Sequence, residues 1–479
     1  MNVAGFLLGE ALVVAAGAGL LHLTFQRWRR AFLEVGIAGI AGLSILGGYA
    51  ILGMATTLLG VLGASTRPTG ALLGFMLLPP VAALGQRLVR RASATEDRAE
   101  KTQRLDELIA SQAPAIAAIA GGVAAIRVGL QGLVISNDEY MMWALRGRAI
   151  GLAGRLDPRV FAAGTYAQLD YPLMVPSAIA WADVWGRDPL AGGAAHAQVG
   201  IILLGGLLTI AGLVQRVAGT LAATLAVGAV MAVPGVLGLY GVLLLADVPL
   251  MSFALAALLL FVIWRVTQEW RYLSLASLMA AAAMSTKAEG LVFVIAIFVG
   301  MATTLRRVSH AVLLSAALAS AVVLTLPWRL YVSSHGLSNK FVNAHTLSLD
   351  HVWGVRHQLA PVVSQVFRAN SALVPWPLLA VGLAILVLGC IAGPRNVALP
   401  MLMCALVAWS LNAFQYLILE TKTPDFSEQS YRLREHVLSS IDRISLFPMS
   451  VLLIGAIACL ACWSKAERSL VVPRTSFLR

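Results

Sequence analysis

Charge is what this sequence has least of. Asp, Glu, Lys and Arg together make up 12% of its 479 residues, against 59% hydrophobic. A protein surrounded by water needs far more polar side chain on its exterior, so a soluble globular chain is excluded. Cysteine is also scarce: Cys390, Cys404, Cys459 and Cys462 are the only four, all inside apolar runs. Cys459 and Cys462 form one C-x-x-C with no second pair and no His pair to complete a metal site, so they read as buried structural thiols. No repeat of roughly 20–50 residues recurs, which excludes a solenoid. The start of the chain has neither a basic opening nor a small-residue cleavage site, so it reads as a first span and not as a removable signal peptide.

What is present is long apolar sequence. About thirteen stretches are long enough to cross a bilayer at roughly 20 residues each. They lie near 4–24, 32–54, 70–86, 111–136, 196–215, 220–245, 248–264, 272–286, 290–305, 311–332, 373–392, 397–419 and 446–463. The expected fold is therefore all-α and polytopic. The net charge of +12 sits in short basic clusters between these runs, which is how membrane proteins fix orientation, so it does not indicate a nucleic-acid partner. Arg27, Arg29 and Arg30 form the first cluster. Arg87, Arg90 and Arg91, then Arg216, Arg265 and Arg271, Arg306 and Arg307, Arg395, and finally Lys465 and Arg468 follow. Every second connection is basic, which predicts an N-terminus outside and a C-terminus in the cytoplasm.

The expected organisation has three leading spans in 1–91 and a charged cytoplasmic segment in 92–110. A transmembrane module follows over 111–463, with a cytoplasmic tail in 464–479. Three connections on the outer side are long: 137–195, 333–372 and 420–445. Loops of this length usually carry function. Trp181, Trp185, Trp328, Trp353 and Trp376 lie near the expected boundaries, where an interfacial aromatic belt explains them.

The ionisable residues fall on one side of this topology. Asp138 and Glu139 leave the fourth span, and Asp247 lies between the sixth and seventh. Lys287 and Glu289 lie between the eighth and ninth, and His436 and Arg443 precede the thirteenth. Ionisable groups at membrane depth are costly, so they pair, line water or perform chemistry. A carboxylate can take a proton from an acceptor hydroxyl, and neighbouring cations can hold a phosphate leaving group. Plainer roles exist for each. Asp138, Glu139 and Asp247 suit helix starts; Lys287 and Glu289, two residues apart, do not share a helix face and can snorkel separately. Arg146, Arg148 and Arg443 suit headgroup contacts, and His436 suits a solvated loop.

Several short motifs occur in order. Asp138-Glu139-Tyr140 followed by a helical stretch resembles the acidic first-loop motif of the GT-C glycosyltransferases, among them the protein O-mannosyltransferases and the lipid A aminoarabinose transferases. Tyr171-Pro172-Leu173 is similar to their Y/H-P-P-L segment, without its second proline. Ala246-Asp247-Val248-Pro249 resembles Y-A-D-x-P, with Leu245 in the Tyr place. Lys287-Ala288-Glu289-Gly290 resembles K-x-E-G, and His436 and Arg443 before Phe447-Pro448 resemble a late H/R-to-proline segment.

The resemblance covers about 111–463 and implies a fold, a reaction and roles. GT-C enzymes move a sugar, here a hexosyl or pentosyl unit, from a polyprenyl-phosphate donor to an acceptor away from the cytoplasm, inverting the anomeric centre. The acceptor would be an envelope glycan or glycolipid at the outer face of the cytoplasmic (inner) membrane, with membrane lipids around it. By that likeness Asp138 is the general base and Glu139 its alternate. Asp247 positions the acceptor or the base, Glu289 and Tyr171 join the substrate-binding residues, and Lys287, His436 and Arg443 meet the donor phosphate with Arg146 and Arg148 in reach. No cofactor is implied; a divalent cation between Asp138 and Asp247 is the one metal arrangement left open. Two other classes share the span count: a secondary transporter, whose ionisable residues belong near the midplane, and a flippase-like scaffold for lipid-linked glycans.

Overall fold

A computed structural model of the chain describes residues 1–25, 28–67, 69–75, 111–131, 139–157, 169–187, 192–233, 235–237, 243–337, 348–418 and 443–471. Among them there are helices and no strands. The helices are α1 (Val3–Phe25), α2 (Trp28–Val61), α3 (Thr69–Phe75) and α4 (Ala113–Gly129). A π-helical turn at Glu139–Ala144 runs into α5 (Leu145–Ala153), followed by α6 (Met174–Gly186), α7 (Gly193–Ala218) and α8 (Thr220–Ala232). Then come α9 (Asp247–Thr267), α10 (Trp270–Met284), α11 (Glu289–Ala302) and α12 (Val308–Ser334). The last are α13 (Leu349–Val355), α14 (Leu359–Leu373), α15 (Trp376–Ala392), α16 (Arg395–Ile418) and α17 (Leu446–Val471).

Seven of these are long and apolar enough to cross a membrane: α1, the Val35–Val61 part of α2, α7, α9, α12, the Arg395–Tyr416 part of α16 and the Leu446–Ser464 part of α17. Their surfaces carry exposed apolar side chains in quantity. Val308, Val312 and Val323 on α12 and Leu378, Val381 and Ile391 on α15 all face outward. Such continuous apolar exterior is unfavourable in water and favourable in lipid. The chain is a multi-pass α-helical membrane protein.

Where the expected stretches fall on described residues they coincide with helices, but some are shorter than the sequence suggested; most of 70–86 lies outside the described residues. The stretch at 220–245 yields a helix that stops at Ala232, with Val233 extended at φ −63°, ψ 120°. Pro234 follows it in sequence, and a residue before proline is pushed out of the α region. The stretches at 272–286 and 290–305 form α10 and α11, of 15 and 14 residues. At 1.5 Å per residue they reach roughly 21–23 Å, against a hydrocarbon core of about 30 Å. The charged segment 92–110 and most of the loop at 420–445 lie outside the described residues.

Packing is built on small residues. A side chain on Gly17 of α1 would overlap the Ser44 carbonyl of α2, and one on Gly48 would overlap the Val13 carbonyl. Backbone contact of this closeness is the means by which apolar helices associate inside lipid. Helix α2 also lies along α7, and α7 along α4. One core runs from Phe6 to Cys459, so the leading helices share it with the later module. At its centre is α9, whose whole spanning stretch is buried.

Within the 137–195 connection, nearly all of α6 is buried, packed against α1, α2 and α7. Trp181 and Trp328 are buried too, whereas Trp353 and Trp376 are exposed as a belt requires. Trp328 is drawn inside by a hydrogen bond, its indole N–H donating to the Asp170 carbonyl at 2.9 Å. All four cysteines are free thiols.

Candidate functional site

The connection between α10 and α11 is a tight turn. The Ser285 N–H donates to the Ala281 carbonyl, and the Thr286 hydroxyl donates to the Ala282 carbonyl at 2.7 Å. Gly290 lets α11 fold back against α10, because a Cβ there would overlap the Ala283 carbonyl. The glycine of the K-x-E-G segment is thus required by a close backbone approach. The turn places Lys287 just before α11 and Glu289 as its first residue.

Lys287 Nζ lies 2.8 Å from Asp247 Oδ1 and 3.2 Å from Glu289 Oε1. All three residues are less than 10% exposed. The rule that residues two apart on a helix point away from one another does not govern this pair, because Lys287 precedes the helix. Neither side chain snorkels: Lys287 is held inside by Asp247, and Glu289 by Lys287. Asp247 is the first residue of α9, an acidic group at a helix start as expected, and its carboxylate also turns to the ammonium. Glu289 Oε2 is buried without a hydrogen-bond partner among the described residues.

Tyr171 and Arg443 complete the cluster. The Tyr171 segment is tied to the turn by the Met174 N–H, which donates to the Ser285 carbonyl at 3.1 Å. The buried Tyr171 phenol feels the charges of Glu289, Asp170, Asp247 and Arg443. Arg443, just before α17, acts electrostatically on both Asp247 and Lys287. Four segments far apart in sequence therefore meet: the Tyr171 loop, the start of α9, the α10–α11 turn and the start of α17.

Burial opposes the Lys287 ammonium, but Asp247 and Glu289 together outweigh it and hold its pKa above the ordinary 10.5. Burial first, and the carboxylates next, push the Tyr171 phenol well above its ordinary 10.0. At neutral pH the cluster is a charged lysine between two carboxylates, beside a neutral phenol.

The turn that follows the acidic first-loop motif packs against the cluster. Asp138 lies outside the described residues, as does His436, and Glu139 opens the π-helical turn. Trp143 in that turn is buried against Tyr171, with ring centroids 5.6 Å apart. Single π-helical turns of this kind are rare and frequent at functional sites. Arg146 is fully buried in α5, so it is no headgroup contact. Arg148 is only half-buried and approaches Gly192, where a Cβ would stand 3.5 Å from its guanidinium.

Two features escaped sequence reasoning. The first is Glu10 of α1, buried between the Tyr49 hydroxyl at 2.6 Å and the Gln198 amide at 2.8 Å. A lone carboxylate inside an apolar run was the available signal. The second is a groove of about 320 Å³ between α2, α10 and α12, lined by Met54, Leu58, Leu278, Val323 and Arg329 among others. Its lining comes from four distant segments, the fourth being Pro172 and Leu173, which no local pattern announces. Among the described residues, no three His, Cys, Asp or Glu side chains are grouped to hold a metal. A cation on Asp247 would have to displace the Lys287 ammonium.

Fold and site together define a class: a multi-pass α-helical membrane protein with a buried, ion-paired cluster at one end of its bundle. No protein-family model matches the chain, and no curated protein or solved structure matches it significantly.

Proposed function

We propose that the chain is a GT-C-type membrane glycosyltransferase. It transfers a sugar from a polyprenyl-phosphate donor to an envelope glycan or glycolipid, at the outer face of the cytoplasmic membrane. The observation that carries this reading is the gathering of Asp247, Lys287, Glu289, Tyr171 and Arg443 around one buried centre. It also has an apolar groove beside it, as a lipid-linked donor needs.

In the reaction the acceptor hydroxyl attacks the anomeric carbon from the face opposite the lipid phosphate. The bond from that carbon to the phosphate oxygen breaks, and the oxygen keeps the electron pair. The hydroxyl proton passes to a carboxylate, Asp138 by resemblance with Glu139 as alternate, and the product is inverted. Lys287 has three N–H donors; two meet Asp247 and Glu289, and the third is available to a phosphate oxygen. Arg443 and His436 assist there, while Asp247, Glu289 and Tyr171 orient the acceptor.

The test is mass spectrometry of envelope glycans and lipid-linked sugars in a strain lacking the protein. A missing sugar beside an accumulated donor is expected; an unchanged glycan profile removes the reading. Glu10 favours a second reading, a secondary transporter, because a carboxyl buried within a span is a common ion-coupling element. Proton-coupled uptake into proteoliposomes that is lost in Glu10→Gln, with no sugar transfer by the wild type, would select it.

A further inference from the structure

The cations of the ionic cluster are already engaged: Lys287 pairs with Asp247 and Glu289, and Arg443 acts on Asp247. A sugar-linked phosphodiester carries one negative charge, and the phosphate released from it carries nearly two. Stabilising that growth needs a further cation placed where the charge develops.

Arg329 is so placed. It lines the groove together with Pro172 and Leu173, which follow Tyr171, and with Ser285, two residues before Lys287. Its neighbour Trp328 turns inward to the Asp170 carbonyl, which fixes this end of α12 against the Tyr171 segment. Trp328 and Tyr331 pack with Ile150, Leu156, Leu173 and Ala180 in a second small core at this end. Successive residues on a helix point about 100° apart, so anchoring Trp328 inward sends Arg329 to the groove. Arg329 is half-buried and makes no hydrogen bond or ion pair with the described residues.

The rest of the groove is apolar. Ile51, Met54, Ala55 and Leu58 of α2 form one wall, with Leu278 and Met284 of α10 and Val323 and Leu324 of α12 opposite. Val323 and Leu324 are exposed to the lipid side, so the groove is open to the bilayer. Its volume of about 320 Å³ lies at the lower end of ligand sites, roughly 300–1,000 Å³. That suits a segment of one chain better than the paired chains of a phospholipid. The two methionines adapt their shape to a branched chain.

We infer that the seam between α2, α10 and α12 seats the isoprenoid chain of the donor, and that Arg329 takes the phosphate at its head. This rests on the glycosyltransferase reading and gives the leading helix α2 a role: it supplies one wall of the lipid site. Arg329 is a binding residue outside every motif named above.

The experiment measures binding of undecaprenyl phosphate by native mass spectrometry, to the full chain in phosphatidylcholine nanodiscs. Wild type is expected to bind. Arg329→Gln should weaken binding roughly tenfold or more, the loss of a charge-assisted hydrogen bond, and Arg329→Lys should restore most of it. Ala55→Trp fills the groove and should block the chain. If Arg329→Gln and Ala55→Trp bind like wild type while Lys287→Ala does not, the lipid sits elsewhere: this inference fails and the glycosyltransferase reading stands. If phosphatidylglycerol competes equally, the isoprenoid assignment fails. If wild type binds no undecaprenyl phosphate, both fall. Should Ala55→Trp not fold, the Gln and Lys variants at 329 decide alone.

Discussion

Lys287 reaches across forty residues of sequence to place its ammonium 2.8 Å from Asp247 Oδ1. The pair joins the first turn of the most buried helix to the turn between two short ones. Because Glu289 shares the same ammonium at 3.2 Å, the bundle end depends on one cation.

Removing that cation should be costly. Lys287→Met leaves two buried carboxylates facing one another, and breaking a buried pair on one side typically costs about 3–5 kcal/mol. Replacing Asp247 by Asn and Glu289 by Gln in the same chain should return much of that loss. Thermal unfolding of the detergent-solubilised protein checks it. A triple variant no more stable than Lys287→Met would show that the ion pairs are not the source of the effect.

On the alkaline side, the cluster should respond only above the ordinary lysine range. The folded pKa of Lys287 lies above its ordinary 10.5, so its stabilising contribution is complete below 10.5 and disappears as pH climbs through the higher folded value. Tyr171 acts in the same direction, because its phenol resists ionisation in the folded state and not in the unfolded one. The difference in unfolding midpoint between wild type and Lys287→Met should therefore stay flat from pH 7 to 9, about neutral to mildly alkaline, and shrink above 10.5. A decline already at neutral pH would contradict the assignment.

Sugar transfer should fail at either carboxylate motif. Asp138→Ala removes the proposed base, which contributes typically 10²–10⁴-fold, and Asp247→Asn should also lower transfer while the protein is still produced. Normal transfer by the Asp138 variant would remove that residue from the mechanism.

Trp143→Ala should lower transfer without touching an ionisable group. It deletes the ring packed on Tyr171 and so loosens the π-helical turn that follows Asp138. An aromatic pair contributes about 0.5–1.5 kcal/mol beyond its burial, so stability should fall while Trp143→Phe recovers much of both. A variant with unaltered kinetics would separate the turn from the chemistry.

Much of this was legible because hydrophobic runs and ionisable residues are conspicuous in a chain so poor in charge. Tyr171, Asp247, Lys287, Glu289 and Arg443 stood out as polar breaks between apolar runs, and they do meet. Less legible was anything set by packing between distant helices. Arg146 looked like a headgroup contact, yet it is fully buried in α5, which packs against α6. Arg329 looked like an ordinary residue near a helix end until Trp328 was seen to turn inward. The lengths of α8 and α11 were overestimated because hydropathy continues past the point where the helix ends, which for α8 is Val233, the residue before Pro234.

Those short helices also concern the bilayer itself. Were this hairpin of roughly 21–23 Å to cross a hydrocarbon layer of about 30 Å, the mismatch would have to be absorbed by thinning of the surrounding lipid or by neighbouring helices. The protein should therefore work best among shorter acyl chains. Reconstitution in bilayers of increasing thickness should lower its turnover stepwise, with the unfolding temperature much less affected.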